Sequence, residues 1–286
     1  KPVNPSQILL ALKKHLHKNT IIKEQTTSEY SSEFLQINNQ ISSASSDNDF
    51  FELYKQLTFW DIRLDETHNE LYNMLMSQKE EANFAFCKYI TKNYLHWFSE
   101  PESRPLMTPD IFKTQVFPFL DNGEKVFLVV IDNFRYDQWK MVQQTIEEFF
   151  TVEKEMLYYS ILPTTTQYAR NALMSGLMPL QIKEMYPQYW VDDTEEEAKN
   201  LYEENLIDLL LKRYRKNINF SYHKINSSQE GEKLVEKLPQ LKDNQLNVCV
   251  LNFIDMLSHS RTEMRVLKEI ARSETAYRAL SVNWFK

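Results

Sequence analysis

Residues Lys125–Lys140 read KVFLVVIDNFRYDQWK. A continuous apolar run, Val126 to Ile131, ends on the carboxylate of Asp132 and gives way to a polar stretch with helical period. A run of this length is expected of a strand buried on both faces of a parallel sheet. Three other segments read the same way: VEKEMLYYSIL (152–162), INFSYHKI (218–225) and LNVCVLNFID (246–255). Between them lie helical patterns over 136–150, TTTQYARNALMSG (164–176), 194–214 and 228–238, with further helices from about 262 onward. Threonines open the 164–176 helix and Gly176 closes it. Strands alternating with helices predict an α/β domain, a mainly parallel sheet flanked by helices.

The chain before this region has a different texture. Lys1–Lys18 reads as one helix, with Asn4 as N-cap and Pro5 at the first helical position. Residues 26 to 105 are helical by period, with two shorter candidates at 28–41 and 47–64 and a long one from about Glu66 to Phe98. Leu71, Leu75, Ala82, Phe86, Tyr89 and Trp97 fall on one face of that long helix, which predicts a small helical bundle. The proline-rich SEPESRPLMTP (99–109) marks a boundary, and Thr108 with Pro109 predicts a new helix start.

Composition excludes several function classes. The 286 residues carry a net charge of −7, which argues against a duplex-DNA module. There are 3 glycines, where average usage gives roughly 20, and neither a P-loop nor a GxGxxG pattern is present. No run approaches the ~18 apolar residues of a membrane span. Cys87 and Cys249 are far apart without metal spacing, which fits a reducing, cytoplasmic setting.

In an open parallel sheet, functional groups gather at the carboxyl ends of the strands. Asp132 and Asp255 are each predicted to end a strand, and Thr164, Thr165 and Thr166 follow a third. His259, four residues after Asp255, adds a nitrogen ligand to an oxygen ligand, a pairing that suits zinc. Each feature has a plainer reading. Asp132 reads equally as the N-cap of the helix near Tyr136, the threonines as helix caps, and His259 as an ordinary histidine. The run EEEAKNLYEEN (195–205) reads as a solvated helix face.

Taken in order, the strand ending in Asp132, the Pro-Thr-Thr-Thr turn into a helix closed by SGLMP, and the later Asp-Met-Leu-Ser-His resemble the alkaline phosphatase superfamily. In its nucleotide phosphodiesterase branch the nucleophilic Thr lies three residues after a Pro and ten before a Gly, so the resemblance selects Thr166. It further implies Asp132 and Thr166 as ligands of one zinc ion, and Asp255 and His259 as two ligands of a second. VIDNFRYDQW, SILPTTTQYARNALMSGLMP, YPQYWVDD and NFIDMLSHSRTEM resemble the PglZ-type domain of PorX-like response regulators. That resemblance implies the tail of a receiver domain at 1–19, a helical bundle at 20–104 and the PglZ domain at 105–286. It also implies a sensor histidine kinase and a sigma factor as partners, control of a type IX secretion system, and oligonucleotide or cyclic-nucleotide substrates.

Two departures qualify the match. The receiver's phosphoacceptor Asp would precede residue 1, and the family's later Asp-His pair and further His have no counterpart here. The remaining histidines are His15, His17, His68, His96 and His223. The chain is therefore expected to be cut at both ends, to hold metal weakly or not at all, and to be inactive as a fragment. Two functions are open: a zinc-dependent phosphodiesterase output domain, or a non-catalytic platform that docks a kinase and a sigma factor.

Overall fold

The computed structural model describes residues 5–64, 69–100, 102, 104–191 and 200–285, with no statement on the side chains of 5–22, 69 and 267. Asn4, the expected first N-cap, lies outside the described residues. In chain order the helices α1 to α5 are Pro5–Ser43, Asp47–Arg63, Asn69–Asn93, His96–Ser99 and Phe117–Asp121. Strand β1 (Val126–Ile131) leads to α6 (Tyr136–Glu147), α7 (Thr166–Ser175), α8 (Pro179–Met185) and α9 (Glu203–Arg213). Then come β2 (Phe220–Ile225), α10 (Ser228–Leu241), β3 (Leu246–Leu251), α11 (Phe253–Glu263), α12 (Arg265–Ile270) and α13 (Glu274–Phe285).

Two compact units emerge. The first contains residues 1–103, 136–145 and 273–286, and the second 104–135 and 146–272. Residues 136–145 of α6 and the whole of α13 thus cluster with the helical unit. One continuous helix, α1, runs through the expected boundary at 19/20.

In the helical unit, α2 starts on a reciprocal cap: Ser46 Oγ accepts from Asp49 N–H while the Asp49 carboxylate accepts from Ser46 N–H. Its apolar stripe, Leu53, Leu57, Trp60 and Leu64, packs with Tyr30, Ile37 and Ile41 of α1 and Leu75 and Ala82 of α3. Burial pushes the Tyr30 hydroxyl up to about 12, and it donates to Gln78 at 2.9 Å. Buried Arg278 of α13 closes the unit, bonding Asp137 of α6 at 2.6 Å and Asp61 of α2 at 2.9 Å. Lys79 of α3 completes the cluster on Asp61 at 2.7 Å.

In the second unit, the described residues form a three-stranded parallel sheet of order β1-β3-β2, with Val126 opposite Leu246 and Phe220 opposite the same residue. Only the central strand fulfils the expectation of burial on both faces. Leu246 to Val250 are buried throughout, and β3 is paired on both sides. Strand β1 differs from its reading: Phe127 and Val129, on one face of the sheet, are 46% and 50% exposed, while Val126, Leu128 and Val130 on the other face pack on the core. The other face of the sheet packs on Phe112, Val116, Leu173, Met174, Leu206, Ile207 and Leu210.

Three further local expectations are corrected. Residues 152–162 form no strand; they make a single parallel bridge, Tyr159 to Met107, with most of 151–156 exposed and so without an apolar face to hold a ladder. A helical turn does start at Thr108–Asp110, but Met107 holds the cap position; the Thr108 hydroxyl instead accepts the Ile161 N–H at 3.3 Å, and Asp110 takes the Met107 N–H at 3.0 Å. Asp255 does not end a strand. Asn252 (φ −96°, ψ 1°) turns the chain out of β3, and Asp255 falls in the first turn of α11.

Gly176 closes α7 as expected, in the left-handed region at φ 63°. A Cβ there would sit 2.9 Å from Leu210 Cδ1 and 3.4 Å from the Pro109 carbonyl. Gly176→Ala is expected to lower stability by about 1–3 kcal/mol, from the left-handed penalty and overpacking together. Urea denaturation measures it, and a loss under a few tenths of a kcal/mol would contradict the packing described.

Candidate functional site

At the carboxyl edge of the sheet Asp132 follows β1 and Asp255 with His259 lies on α11, while Thr166 leads α7, whose Arg170 bonds Asp132. Asp132 follows β1 directly and extends its ladder, donating its N–H to the Leu251 carbonyl at 3.0 Å. The helix after it starts at Tyr136, with Asn133, Phe134 and Arg135 between, so Asp132 does not occupy the N-cap position. Its side chain is only 12% exposed, and Oδ2 accepts from Arg170 Nη1 at 2.9 Å. Asn133, the next residue, takes a left-handed φ of 56°, a conformation asparagine tolerates better than most side chains. Its amide is hydrogen-bonded to Asp255.

Thr166 is the first residue of α7, and Thr165 holds the N-cap position without a side-chain cap bond. Thr164 and Thr165 are exposed, and Thr166 is half-buried. The start of α7 presents backbone N–H groups, to which the helix dipole adds a preference for anions. One turn later on the same helix lies Arg170, in the i,i+4 relation to Thr166.

Asp255 and His259 occupy successive turns of α11. His259 Nε2 lies 3.7 Å from Asp255 Oδ1, with the histidine side chain 71% exposed. Burial, and next the charge of Asp132, raise the Asp255 carboxyl above its ordinary range; His259, Arg170 and Asn133 act in the opposite direction. The two aspartates are therefore electrostatic neighbours. Thr166 is linked to them through its helix, via Arg170, rather than through a hydroxyl contact given by the structure.

Five residues of this edge escaped the sequence reading: Asn133, Arg170, Glu203, Tyr222 and Asn252. Arg170 is the hub. Its Nη1 donates to Asp132 and, at 2.9 Å, to Asn252 Oδ1, the residue that starts α11. Its Nε and Nη2 donate to Glu203 of α9 at 2.8 and 2.5 Å. Burial alone would lower the Arg170 pKa, but Glu203 and Asp132 outweigh it and raise it. Glu203 is fully buried and also accepts from the Tyr222 hydroxyl at 2.5 Å. Burial and Glu203 together push that phenol well above its usual range.

Glu203 corrects an expectation, since its run was read as a solvated face; residues 195–199 of that run lie outside the described residues. The signal was in the register. Glu203 sits on the stripe it shares with Leu206, Ile207, Leu210 and Leu211, which faces the core. Cys249 is buried as expected, its thiol pushed up to about 11 by burial.

The donors fit a cation in part. Tetrahedral zinc with bonds of about 2.1 Å places an oxygen and a nitrogen ligand about 3.4 Å apart. The 3.7 Å between Asp255 Oδ1 and His259 Nε2 is close to that. Asp132 could join only by sharing its carboxylate with Arg170. Among the described residues, no group of three or more His, Cys, Asp or Glu comes together as a metal site.

Comparison with known proteins agrees with this architecture. Residues 111–282 match the BREX system PglZ alkaline phosphatase-like domain, and residues 20–98 match the PorX response regulator linker domain. No curated protein matches the chain. Among the described residues, no helix is long and apolar enough to cross a membrane. A parallel sheet gathering two aspartates at its carboxyl edge, a threonine-led helix beside them, and a family match over more than half the length lead to one assignment: the chain belongs to the PglZ family of alkaline phosphatase-like domains, joined to a response-regulator linker.

Proposed function

We propose that the carboxyl edge carrying Asp132, Thr166, Asp255 and His259 is a phosphodiesterase site, the output of a response regulator. The observation that carries the reading is the convergence of Asp132, Asp255 and His259 on one edge, with Arg170 tying the Thr166 helix to Asp132. Thr166 is the nucleophile. Its oxygen attacks phosphorus, one ester oxygen leaves with a proton, and water later releases the second product from Thr166. The N–H groups at the start of α7 hold the phosphate oxygens. Asp132 and Thr166 would be ligands of one cation, and Asp255 with His259 would supply an oxygen and a nitrogen ligand for a second. When bound there, zinc would contribute positive charge to the oxygens on which negative charge develops, with two ions in the complete site.

Family membership supports the wider setting. The substrates would be oligonucleotides or cyclic nucleotides, the upstream partner a sensor histidine kinase, and the downstream partner a sigma factor, in the cytoplasmic control of a type IX secretion system.

The test, in a full-length form of the protein, is to quench turnover of a phosphodiester reporter in acid and map the adduct by mass spectrometry. An adduct on Thr166 is expected. A turning-over enzyme with no adduct, or with one on Thr164 or Thr165, would remove Thr166 from the chemistry.

A further inference from the structure

We propose that the outer edge of β2, with α10 beside it, is a docking groove for an extended acidic segment of a partner protein, which adds to the sheet as a further strand. The surface is separate from Asp132 and Thr166, and the proposal stands whether or not the chain hydrolyses phosphodiesters.

Backbone direction defines the groove. Among the described residues, β2 pairs only with β3. Asn219 and Ile225 turn their carbonyls to that side, accepting from Gln245 N–H and Asn252 N–H, each at 3.0 Å. Backbone groups alternate along a strand, so Tyr222 and Lys224 turn their N–H and C=O the other way. The Asn226 N–H, two residues on, points outward too, and Glu230 Oε2 accepts it at 2.6 Å. A carboxylate oxygen thus already serves as acceptor at one end of this edge. Beside it opens a cleft of about 250 Å³, lined by four consecutive residues of β2, Tyr222 to Ile225. Successive side chains leave a strand on opposite faces, so four in a row share one cleft where it runs along the strand's edge. From α10 the cleft takes Glu230, Lys233, Leu234 and Lys237, which are the i, i+3, i+4 and i+7 positions of one helix face.

Charge selects the occupant. Glu230 is engaged by Asn226, and the Lys224 ammonium turns to Glu203 at 4.0 Å. Lys233 and Lys237 are exposed, and among the described residues no carboxylate pairs with either. Four residues of helix rise about 6 Å, and two residues of strand about 6.7 Å. Acidic side chains at alternate positions of an added strand therefore meet Lys233 and Lys237 in turn. Lysines beside an open edge repel neutral and basic strands less well matched to them, and an acidic strand is the one they admit. A single-stranded nucleic acid matches the lysines but not the edge, because its sugar–phosphate chain offers acceptors and no regular donors to the outward carbonyls of Tyr222 and Lys224.

The experiment is fluorescence anisotropy of the 286-residue chain with a labelled six-residue peptide, as long as β2, that alternates glutamate with valine. Binding is expected, and Lys233→Glu/Lys237→Glu should weaken it about tenfold or more. Both positions are exposed, so circular dichroism should show an unchanged fold. The same peptide with lysine for glutamate should not bind. N-methylation of the peptide separates strand addition from plain charge attraction. Residues whose side chains share a face of a strand also share a backbone direction. Methylating the nitrogens of one set, all glutamates or all valines, should therefore abolish binding, and methylating the other set should leave most of it. No binding, undiminished binding in the double variant, equal effects of the two methylated sets, or tighter binding of oligothymidylate than of the peptide would each overturn the proposal.

Discussion

Made in a form of the protein that turns over a phosphodiester, Thr166→Ala is expected to lower hydrolysis by about 10³-fold or more while leaving the fold intact. The two halves of that expectation come from different observations. Loss of the nucleophile removes the covalent route, so only the contribution of binding and electrostatics would remain. Fold retention follows from position. Thr166 occupies the first helical residue of α7, where the N-cap belongs to Thr165, and the cap itself makes no side-chain bond. Truncating Thr166 therefore removes no capping interaction, and its stability cost should stay below about 1 kcal/mol. Thr164→Ala and Thr165→Ala are the controls, since both side chains are exposed and neither is assigned chemistry; each should retain most of the rate. Steady-state kinetics with a matched urea curve reads both quantities. Undiminished turnover in Thr166→Ala, or an equal loss in Thr165→Ala, would contradict the assignment.

The parts of this fold that local pattern dictates were legible in the sequence. The runs that become β1 and β3 are apolar over the length of a strand, and α7 carries a threonine at one end and a left-handed glycine at the other. What the sequence hid depends on pairing. The run 126–131 looks like a strand buried on both faces, but which strand takes the centre is decided by register, and β3 takes it. The run 246–255 looks like one strand because Phe253 and Ile254 continue its apolar character. Asn252 breaks it, its N–H donating to the Ile225 carbonyl while its own carbonyl accepts from Met256. Asp255 and His259 thus lie on successive turns of a helix, not at a strand end. The site's electrostatics was the least legible part. Arg170 contacts Asp132 across 38 positions and Glu203 across 33, separations that no spacing rule can anticipate.

Glu203→Ala is expected to destabilise the PglZ unit by about 3–5 kcal/mol, the cost of leaving a buried charge without its partner. Glu203 is 0% exposed and accepts from Arg170 Nε, Arg170 Nη2 and the Tyr222 hydroxyl. Its removal leaves the 6%-exposed Arg170 with Asp132 and Asn252 alone, and leaves the phenol facing the space where the carboxylate stood. The remaining Arg170–Asp132 bond does not rescue it, because Asp132 contacts only one nitrogen and the other two donors become buried and unsatisfied. Glu203→Gln should lose less, since it keeps an acceptor for the guanidinium. A packed apolar replacement of both partners, Arg170→Met with Glu203→Leu, should recover most of the loss, because a buried ion pair is weakly stabilising against well-packed hydrophobes. Denaturant midpoints at constant slope provide the measurement. If Glu203→Ala lost under about 1 kcal/mol, the network would be reachable by water. If the apolar pair restored stability, the ion pair would be present for the site it organises, holding the Thr166 helix, Asp132 and the start of α11 together, rather than for the fold.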